Sequence, residues 1–383
     1  MKKSDIPFNS PFIVGKELDY ISQAVFNGQL AGNGIFTRKC QDYLREKYGG
    51  TKVLLTTSCT TALEMTALLC DITSEDEVIL PSFTFVSTAN AFLLRGAKLK
   101  FVDIRDDTLN IDESLIEEAI SEKTKVLCPV HYAGIGCEMD VISNLAKEHN
   151  LLIVEDAAQA MGSTYRTHFL GTIGHFGAYS FHETKNFISG EGGALVINDP
   201  RFVERAEVLW EKGTNRVKFF KGEIDKYTWV DIGSSYLPSE LIAAFLYAQF
   251  EHTEEITKRR MGIWKRYWEG LISLQEKKLI RLPFVPEHCH HNAHMFYILL
   301  RNEKERDALL NYLKENNIHA VFHYIPLHSS PMGLKMGYRS GQLPVTESIS
   351  TRILRLPMFF ELNPDDQKKI TETIYKYFNS VPA

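Results

Sequence analysis

LIVEDAAQ at 152–159 is an apolar run that ends in an acid, Asp156, and it is followed by SFHETKN at 180–186. The second stretch places Lys185 in a small polar turn that GEGG at 190–193 closes. A pyridoxal phosphate (PLP) enzyme needs both side chains. Its cofactor requires a carboxylate that keeps the ring nitrogen protonated and a lysine amine that forms a Schiff base with the aldehyde. An acid and a downstream lysine also occur by chance in α/β proteins, so the pair alone is only a hypothesis.

A third stretch, TTSCTTALEM at 56–65, follows the apolar run KVLL at 52–55 and opens a helical pattern. The start of a helix presents free backbone N–H groups and the positive end of the helix dipole, which together suit a phosphate. We therefore predict that Ser58, Cys59 and Thr60 bind the cofactor phosphate. The same residue types also suit an ordinary helix cap, but three elements in this order favour a PLP site.

The composition is that of an ordinary globular protein. The chain has 383 residues, of which 44% are hydrophobic and 24% charged, and its net charge is −5. This charge gives no long-range attraction to nucleic acid or to anionic membranes, and no stretch approaches the ~20 apolar residues that span a bilayer. We predict a cytoplasmic protein that binds neither nucleic acid nor membrane.

The stretch HCHHNAH at 288–294 holds four histidines and one cysteine in seven positions, which could suggest zinc. It lies between a proline-bearing segment and a strand-like run, and no second ligand pair stands at metal spacing. We predict a polar loop and no metal.

Apolar runs alternate with helical patterns between about residues 50 and 200, and this alternation predicts an α/β fold with a mostly parallel, seven-stranded sheet. In such a sheet ligands bind beyond the carboxyl ends of the strands, where Ser58, Asp156 and Ser180 stand. The expected strands are 53–56, 77–81, 98–104, 125–132, 151–156, 177–181 and 193–198, and the helical patterns are 60–69, 88–95, 112–121, 139–149 and 202–212.

The remaining chain predicts a smaller C-terminal α+β domain. A long helix at 237–272 precedes a change of composition, and a strand, a helix at 303–316, a short strand at 318–324 and a helix at 364–378 follow. We expect a PLP-binding large domain with an N-terminal arm at 1–250 and a small domain at 251–383.

With these residues in place, the chain resembles the sugar aminotransferases of the DegT/DnrJ/EryC1/StrS family, which have the fold type I, aspartate aminotransferase-like architecture. More closely it is similar to the dTDP-4-amino-4,6-dideoxygalactose transaminases. The motifs that carry this second resemblance are PSFTFVSTANAFLLRGA at 81–97, PVHYAG at 129–134, SFHETKN at 180–186, KGTNR at 212–216, DKYTWVDIGSSYL at 225–237, NAHMFYI at 292–298 and FHYIPLH at 322–328.

The resemblance implies a role for individual residues of the cofactor site. Lys185 would carry the cofactor covalently and Asp156 would contact the pyridine nitrogen. Gln159 would lie near the ring hydroxyl and Phe85 would stack on the ring, while Ser180 would join Ser58, Cys59 and Thr60 at the phosphate. Many relatives also place an asparagine of the partner subunit on the phosphate, and this chain has Ser235 there instead.

The same resemblance implies a homodimer with shared active sites that uses L-glutamate and a dTDP-sugar. It implies amination at C4 of dTDP-4-dehydro-6-deoxy-D-glucose, giving dTDP-4-amino-4,6-dideoxy-D-galactose for lipopolysaccharide components such as O-antigen or enterobacterial common antigen. The residues expected at the sugar nucleotide are His323, Tyr324 and His328, with Lys212, Asn215 and Arg216 from the partner.

Two alternatives remain open at this point: amination at C3 of a related dTDP-3-dehydro-6-deoxyhexose, and a PLP-binding sensor without turnover. Dehydratase relatives replace the lysine by histidine, so Lys185 argues against that activity.

Overall fold

The computed structural model of the chain describes residues 5–380, so the ends of the two predicted domains, at 1–4 and 381–383, lie outside the described residues. The strands are β1 (Lys52–Thr56), β2 (Glu77–Pro81), β3 (Lys98–Val102), β4 (Thr124–Leu127), β5 (Leu152–Asp156), β6 (Thr164–Tyr165), β7 (His168–Phe169), β8 (Phe176–Ser180), β9 (Gly193–Ile197), β10 (Cys289–His290), β11 (Phe296–Leu299) and β12 (Ile353–Leu356). The helices are α1 (Glu17–Phe26), α2 (Ile35–Tyr48), α3 (Cys59–Leu69), α4 (Val86–Leu93), α5 (Ile116–Ala119), α6 (Met139–Glu148), α7 (Val203–Trp210), α8 (Arg216–Phe220), α9 (Glu240–Phe250), α10 (Thr253–Glu276), α11 (Glu303–Glu315), α12 (Pro331–Lys335), α13 (Pro344–Arg352) and α14 (Pro364–Ser380).

The central sheet has seven strands in the order β1-β9-β8-β5-β4-β2-β3. Neighbouring strands from β8 to β3 pair in parallel, while β9 pairs antiparallel with both β8 and β1. Every residue of β2 and of β9 is buried, as expected for strands covered on both faces. The seven strands correspond to the seven predicted from the apolar runs, so the prediction of a mostly parallel α/β sheet is confirmed.

Helices cover both faces of the sheet because successive strand residues point to opposite sides. In β1, Val53 and Leu55 pack into one apolar cluster, which also takes residues from α2, α6 and α9. Leu54 points the other way, into a second cluster that takes residues from α3, α4 and α7. The large unit is therefore a three-layer α/β/α structure, and its helices leave the carboxyl edge of the sheet available for a site.

A third apolar cluster forms among the C-terminal elements. It gathers residues of α10, α11, α14, β11 and β12, and Ile6 from the N-terminal arm joins it. The predicted strand near 295–300 and the helices at 303–316 and 364–378 correspond to β11, α11 and α14. The domain boundary near residue 250 stays a prediction.

Two predicted elements of this region were wrong. The single helix at 237–272 is two helices, because the backbone of His252 leaves the helical range between α9 and α10. The break lets Phe250 pack on the sheet while Tyr267 packs in the C-terminal cluster. The strand at 318–324 is absent: Ile318 and Val321 each make one isolated bridge, to Ile6 and Arg355, and these different partners cannot form a ladder.

Two further observations concern the predicted absences. No helix of the described part of the chain is long and apolar enough to cross a membrane. Between residues 5 and 380, no group of three or more His, Cys, Asp or Glu side chains is arranged to hold a metal ion.

Candidate active site

The carboxyl edge of the sheet brings together the residues that the sequence singled out at strand ends. Asp156 is the last residue of β5 and Ser180 the last of β8. Because β9 is antiparallel, its first residue, Gly193, reaches the same edge and pairs with Ser180. Ser58 follows β1 and caps α3 at this edge.

The carboxylate of Asp156 is buried and held at both oxygens. The Thr88 hydroxyl donates to its Oδ2 at 2.7 Å, and the backbone N–H of Ala158 donates to its Oδ1 at 3.1 Å. The Thr88 hydroxyl in turn lies 2.8 Å from that of Thr84. Hydrogen bonds to both oxygens fix the direction in which the carboxylate points. The geometry suits an acid that must face a protonated ring nitrogen. No pattern in the sequence indicated this role for Thr88.

Lys185 lies in the loop between β8 and β9, where its backbone N–H donates to the His182 carbonyl at 2.9 Å. The residue is half-buried, and within residues 5–380 its amine makes no hydrogen bond. Burial lowers the pKa of Lys185 and the charge of Arg355 lowers it further, although Cys59 and Asp156 act in the opposite direction. A lysine with a lowered pKa has more of the neutral amine that acts as nucleophile and base.

The first turn of α3 has the properties of a phosphate site. The Ser58 hydroxyl accepts from the backbone N–H of Thr61 at 3.1 Å, and the Thr61 hydroxyl accepts from the backbone N–H of Ser58 at 3.1 Å. Ser58 is thus a real helix cap, as the alternative interpretation of the sequence had it. The N–H groups of Cys59 and Thr60, however, find no acceptor among the described residues, and free N–H groups at a helix start bind anions.

The backbone of β9 closes this site from the other side. A Cβ atom on Gly193 would lie 2.3 Å from the Ser58 carbonyl carbon and 2.4 Å from the Cys59 nitrogen. Only glycine permits this approach, which holds the turn in place. A fixed acid, a lysine with a free amine and a phosphate cradle at one edge are the groups that PLP requires, so the described residues fit this cofactor.

Gln159 is fixed at both ends of its side chain. Its Oε1 accepts from the backbone N–H of Ala133 at 2.7 Å, and its Nε2 donates to the Tyr324 hydroxyl at 2.9 Å. One hydrogen of Nε2 remains for a ligand. Phe85 is 57% exposed and its ring centroid lies 6.3 Å from that of Tyr324. An exposed aromatic ring beside the site fits the expected stacking role, which remains a prediction.

The predicted sugar-nucleotide residues of the chain's own site differ in their freedom to bind. His323 stacks on Tyr324 with ring centroids 3.6 Å apart, and its Nδ1 lies 2.5 Å from the Tyr132 hydroxyl. Burial and the charge of Arg355 hold the pKa of His323 far below its usual value. His328 is fully buried and uses both ring nitrogens, on Ser82 at 2.7 Å and Glu347 at 2.8 Å. A contact between His328 and a ligand would require the exchange of one of these bonds.

Arg355, on β12, is a site residue that sequence reasoning missed. Its Nε is buried and has no hydrogen-bond partner among residues 5–380, and its guanidinium lies 4.8 Å from the Phe8 ring centroid. Burial lowers its pKa, while Tyr132 and Tyr324 oppose this. Its charge also lowers the pKa of Lys185, and its Nε keeps unused donor capacity.

The residues predicted to act across a subunit interface lie close to one another. Lys212 and Arg216 both lie near the carboxylate of Glu211, at 3.4 and 3.8 Å, and Glu211 forms an isolated bridge with Ser235. The Asn215 side chain accepts from the backbone N–H of Thr228. None of the predicted four makes a hydrogen bond or ion pair with Asp156 or Lys185 within residues 5–380.

Comparison with known proteins gives a consistent result. A model described as the DegT/DnrJ/EryC1/StrS aminotransferase family matches residues 11–375. SpsC of Bacillus subtilis, a spore coat polysaccharide biosynthesis protein, is 31% identical over 96% of each chain. GDP-perosamine synthase of Escherichia coli O157:H7 is 29% identical and covers 98% of this chain and 99% of its own.

A solved structure is similar over nearly the whole chain. Spr1654 of Streptococcus pneumoniae, assigned as a sugar aminotransferase, is 25% identical in its PLP form, with a TM-score of 0.90 over 99% of this chain and 100% of that one. In its PMP form the TM-score is 0.92. The predictions of a fold type I architecture and of a PLP cofactor are confirmed.

Proposed function

The chain belongs to the DegT/DnrJ/EryC1/StrS aminotransferase family, and from that premise we propose that it transfers the amino group of L-glutamate to C4 of dTDP-4-dehydro-6-deoxy-D-glucose. The products are dTDP-4-amino-4,6-dideoxy-D-galactose and 2-oxoglutarate. That the chain is a PLP-dependent sugar aminotransferase follows from the family and the structural neighbours. When bound, PLP supplies an electron sink that stabilises the carbanion formed at the amino carbon. The nucleotide, the sugar, the carbon and the donor are the proposed part.

The observation that carries the proposal is the meeting of Lys185, Asp156 and the first turn of α3 at one edge of the sheet. Lys185 holds the cofactor and then moves a proton with its ε-amine, for which a lowered pKa is required. Asp156, fixed by Thr88, holds a proton on the ring nitrogen. The free N–H groups of Cys59 and Thr60 bind the phosphate and orient the ring.

Arg355 suits a carboxylate of the amino donor. Its Nε has no partner although it is buried, and a guanidinium binds a carboxylate through paired hydrogen bonds. The charge of Arg355 lowers the pKa of Lys185, so a carboxylate bound to Arg355 would be held in the same site as the reactive amine. L-Glutamate is such a donor.

A homodimer would complete the nucleotide-sugar site. Lys212 and Arg216 present cationic groups that are at least partly exposed, and cations of this kind suit a pyrophosphate. Large apolar side chains around them are exposed too, with Trp229 at 76% and Phe220 at 62%. Exposed apolar side chains of this size favour burial in a protein interface, and a two-fold partner would deliver the whole 212–235 segment to the neighbouring site.

The test is a single incubation of the protein with PLP, L-glutamate and dTDP-4-dehydro-6-deoxy-D-glucose, followed by NMR of the sugar product. We expect nitrogen at C4 in the galacto configuration. A Lys185→Ala variant should give no product and serves as the control. Nitrogen at C3 would replace the proposal by the C3 alternative, and turnover of a GDP-linked ketosugar in place of the dTDP-sugar would overturn the nucleotide assignment. Absence of 2-oxoglutarate with every ketosugar would favour a sensor.

A further inference from the structure

The stretch HCHHNAH at 288–294, predicted to be a polar loop, instead includes the strand β10 and four buried residues, and buried hydrogen bonds join it to the site. Its first half is anchored away from the lysine, where β10 pairs with β6 and His288 lies 3.1 Å from Glu138. Its second half turns toward the site. There the Asn292 amide, on a residue only 2% exposed, donates to the carbonyl oxygens of Gln159 and Met161, both at 3.0 Å.

Asn186, the residue next to Lys185, is the link between this stretch and the lysine loop. Its Nδ2 donates to the Asn292 carbonyl at 2.8 Å, and its Oδ1 lies 3.2 Å from Nδ1 of His294. Because the amide nitrogen is used on a carbonyl, the oxygen faces His294, and Nδ1 of His294 must carry a hydrogen. This assignment leaves a lone pair on Nε2 if the ring is neutral.

Arg260 of α10 braces the same stretch from behind. It is 4% exposed, and its Nε and Nη2 donate to the carbonyl oxygens of Ala293 at 3.1 Å and of His294 at 2.7 Å. In the described part of the chain no carboxylate pairs with it, and burial lowers its pKa to about 10. Burial, helped by the charges of Lys185 and Arg260, holds the pKa of His294 far below the usual value. The histidine ring is therefore neutral.

We propose that His294 is a positioning residue for Lys185: its ring donates through Nδ1 to Asn186 and so fixes the backbone that carries the reactive amine. Arg260 holds the His294 backbone, and Asn292 ties the same stretch to the carbonyl of Gln159. The lysine loop is thereby set from the C-terminal elements rather than from the sheet alone. This inference rests on the proposed function, in which Lys185 carries the cofactor.

The test compares two replacements of His294 in the full-length apoprotein. His294→Asn keeps an N–H donor close to the position of Nδ1, whereas His294→Phe keeps the ring volume without a donor. We expect His294→Phe to slow the covalent capture of added PLP, followed by absorbance, about tenfold, and His294→Asn to remain within about threefold of the parent protein. We also expect kcat to fall with little change in the KM for L-glutamate. Capture by His294→Phe at the parent rate, or equal slowing in both variants, would overturn the proposal.

A second measurement tests the proposal if His294→Phe does not fold. Asn186→Ala and His294→Ala are combined in a double-mutant cycle, with the PLP capture rate as the readout. Residues that act through one shared bond are not additive, so the double variant should be no slower than Asn186→Ala alone. Additive slowing would contradict the inference. Borohydride reduction of the parent protein with PLP, followed by peptide mapping, tests the proposed function separately from the role of His294. A label on a residue other than Lys185 would refute the proposed function, whatever the His294 variants do.

Discussion

The Thr88 hydroxyl is the side-chain donor among the two groups that fix the direction of the Asp156 carboxylate. Thr88→Val removes the donor to Oδ2 of Asp156 and keeps the side-chain shape. A hydrogen bond to a charged group contributes about 1.5–3 kcal/mol, so we expect kcat to fall by roughly tenfold to a hundredfold. Steady-state kinetics with saturating PLP measure this fall in kcat. Thr88→Ser retains the hydroxyl and should stay near the parent value, and a Ser variant as slow as the Val variant would contradict this role.

The lowered pKa of Lys185 makes a prediction about stability and pH. Between the lowered folded pKa and the ordinary value of 10.5, the unfolded chain binds a proton that the folded chain has released. Stability conferred at this residue therefore rises with pH in that window. We expect apo Lys185→Met to melt at a higher temperature than the apo parent at neutral pH, and the difference to shrink as the pH approaches 10.5. A difference that is constant or grows with pH would show that the amine is not perturbed.

The roles of Lys185 and Asp156 could be predicted from the sequence, because an acid at a strand end and a lysine in a polar loop are visible there. Thr88 and Arg355 were missed because their roles depend on long-range packing. Thr88 is 68 positions from the acid that it orients, and Arg355 enters the site from a strand of another sheet.

The close contact between β9 and the first turn of α3 holds the backbone N–H groups that we expect to bind the cofactor phosphate. Gly193→Ala would place a Cβ 2.3 Å from the Ser58 carbonyl carbon. The turn must then shift, and its N–H groups would no longer point at the phosphate. We expect PLP affinity to fall at least about tenfold, since backbone hydrogen bonds to a phosphate are charge-assisted. Fluorescence titration of the apoprotein gives the affinity. Gly262→Ala, in α10, has only the Arg266 side chain at 3.6 Å and should bind PLP as the parent does.

Helices and strands were predicted correctly where burial determines the order of apolar residues. The predictions failed where contacts between distant segments determine the structure. Most of the sheet strands are apolar runs and β3 alternates lysine with apolar residues, so all seven were visible. The break at His252 was not visible, because EHTEE at 251–255 holds no glycine or proline that would mark the end of a helix. The segment at 318–324 has strand-like residues, but its neighbours in space offer only one bridge each.

At the scale of the whole molecule, shared active sites predict complementation between two inactive variants. Lys185→Ala lacks the reactive amine and Arg216→Ala lacks a proposed partner-supplied cation. Coexpressed in equal amounts, half of the dimers would be mixed, and each mixed dimer would hold one complete site. Activity should then recover to about a quarter of the parent value. Each variant alone is the control, and no recovery from a preparation shown by mass spectrometry to contain mixed dimers would exclude sites shared in this way.

The antiparallel course of β9 has one more consequence. Ser180 and Gly193 are paired neighbours. The segment 181–192 is therefore a loop whose two ends are fixed on adjacent strands. Such a loop can change in length without changing the register of β8 and β9, as long as Asn186 still meets Asn292 and His294. The position of the reactive amine can therefore be adjusted through the exposed part of this loop, at 182–184 and 190–191, while the buried contacts of Asn186 are kept.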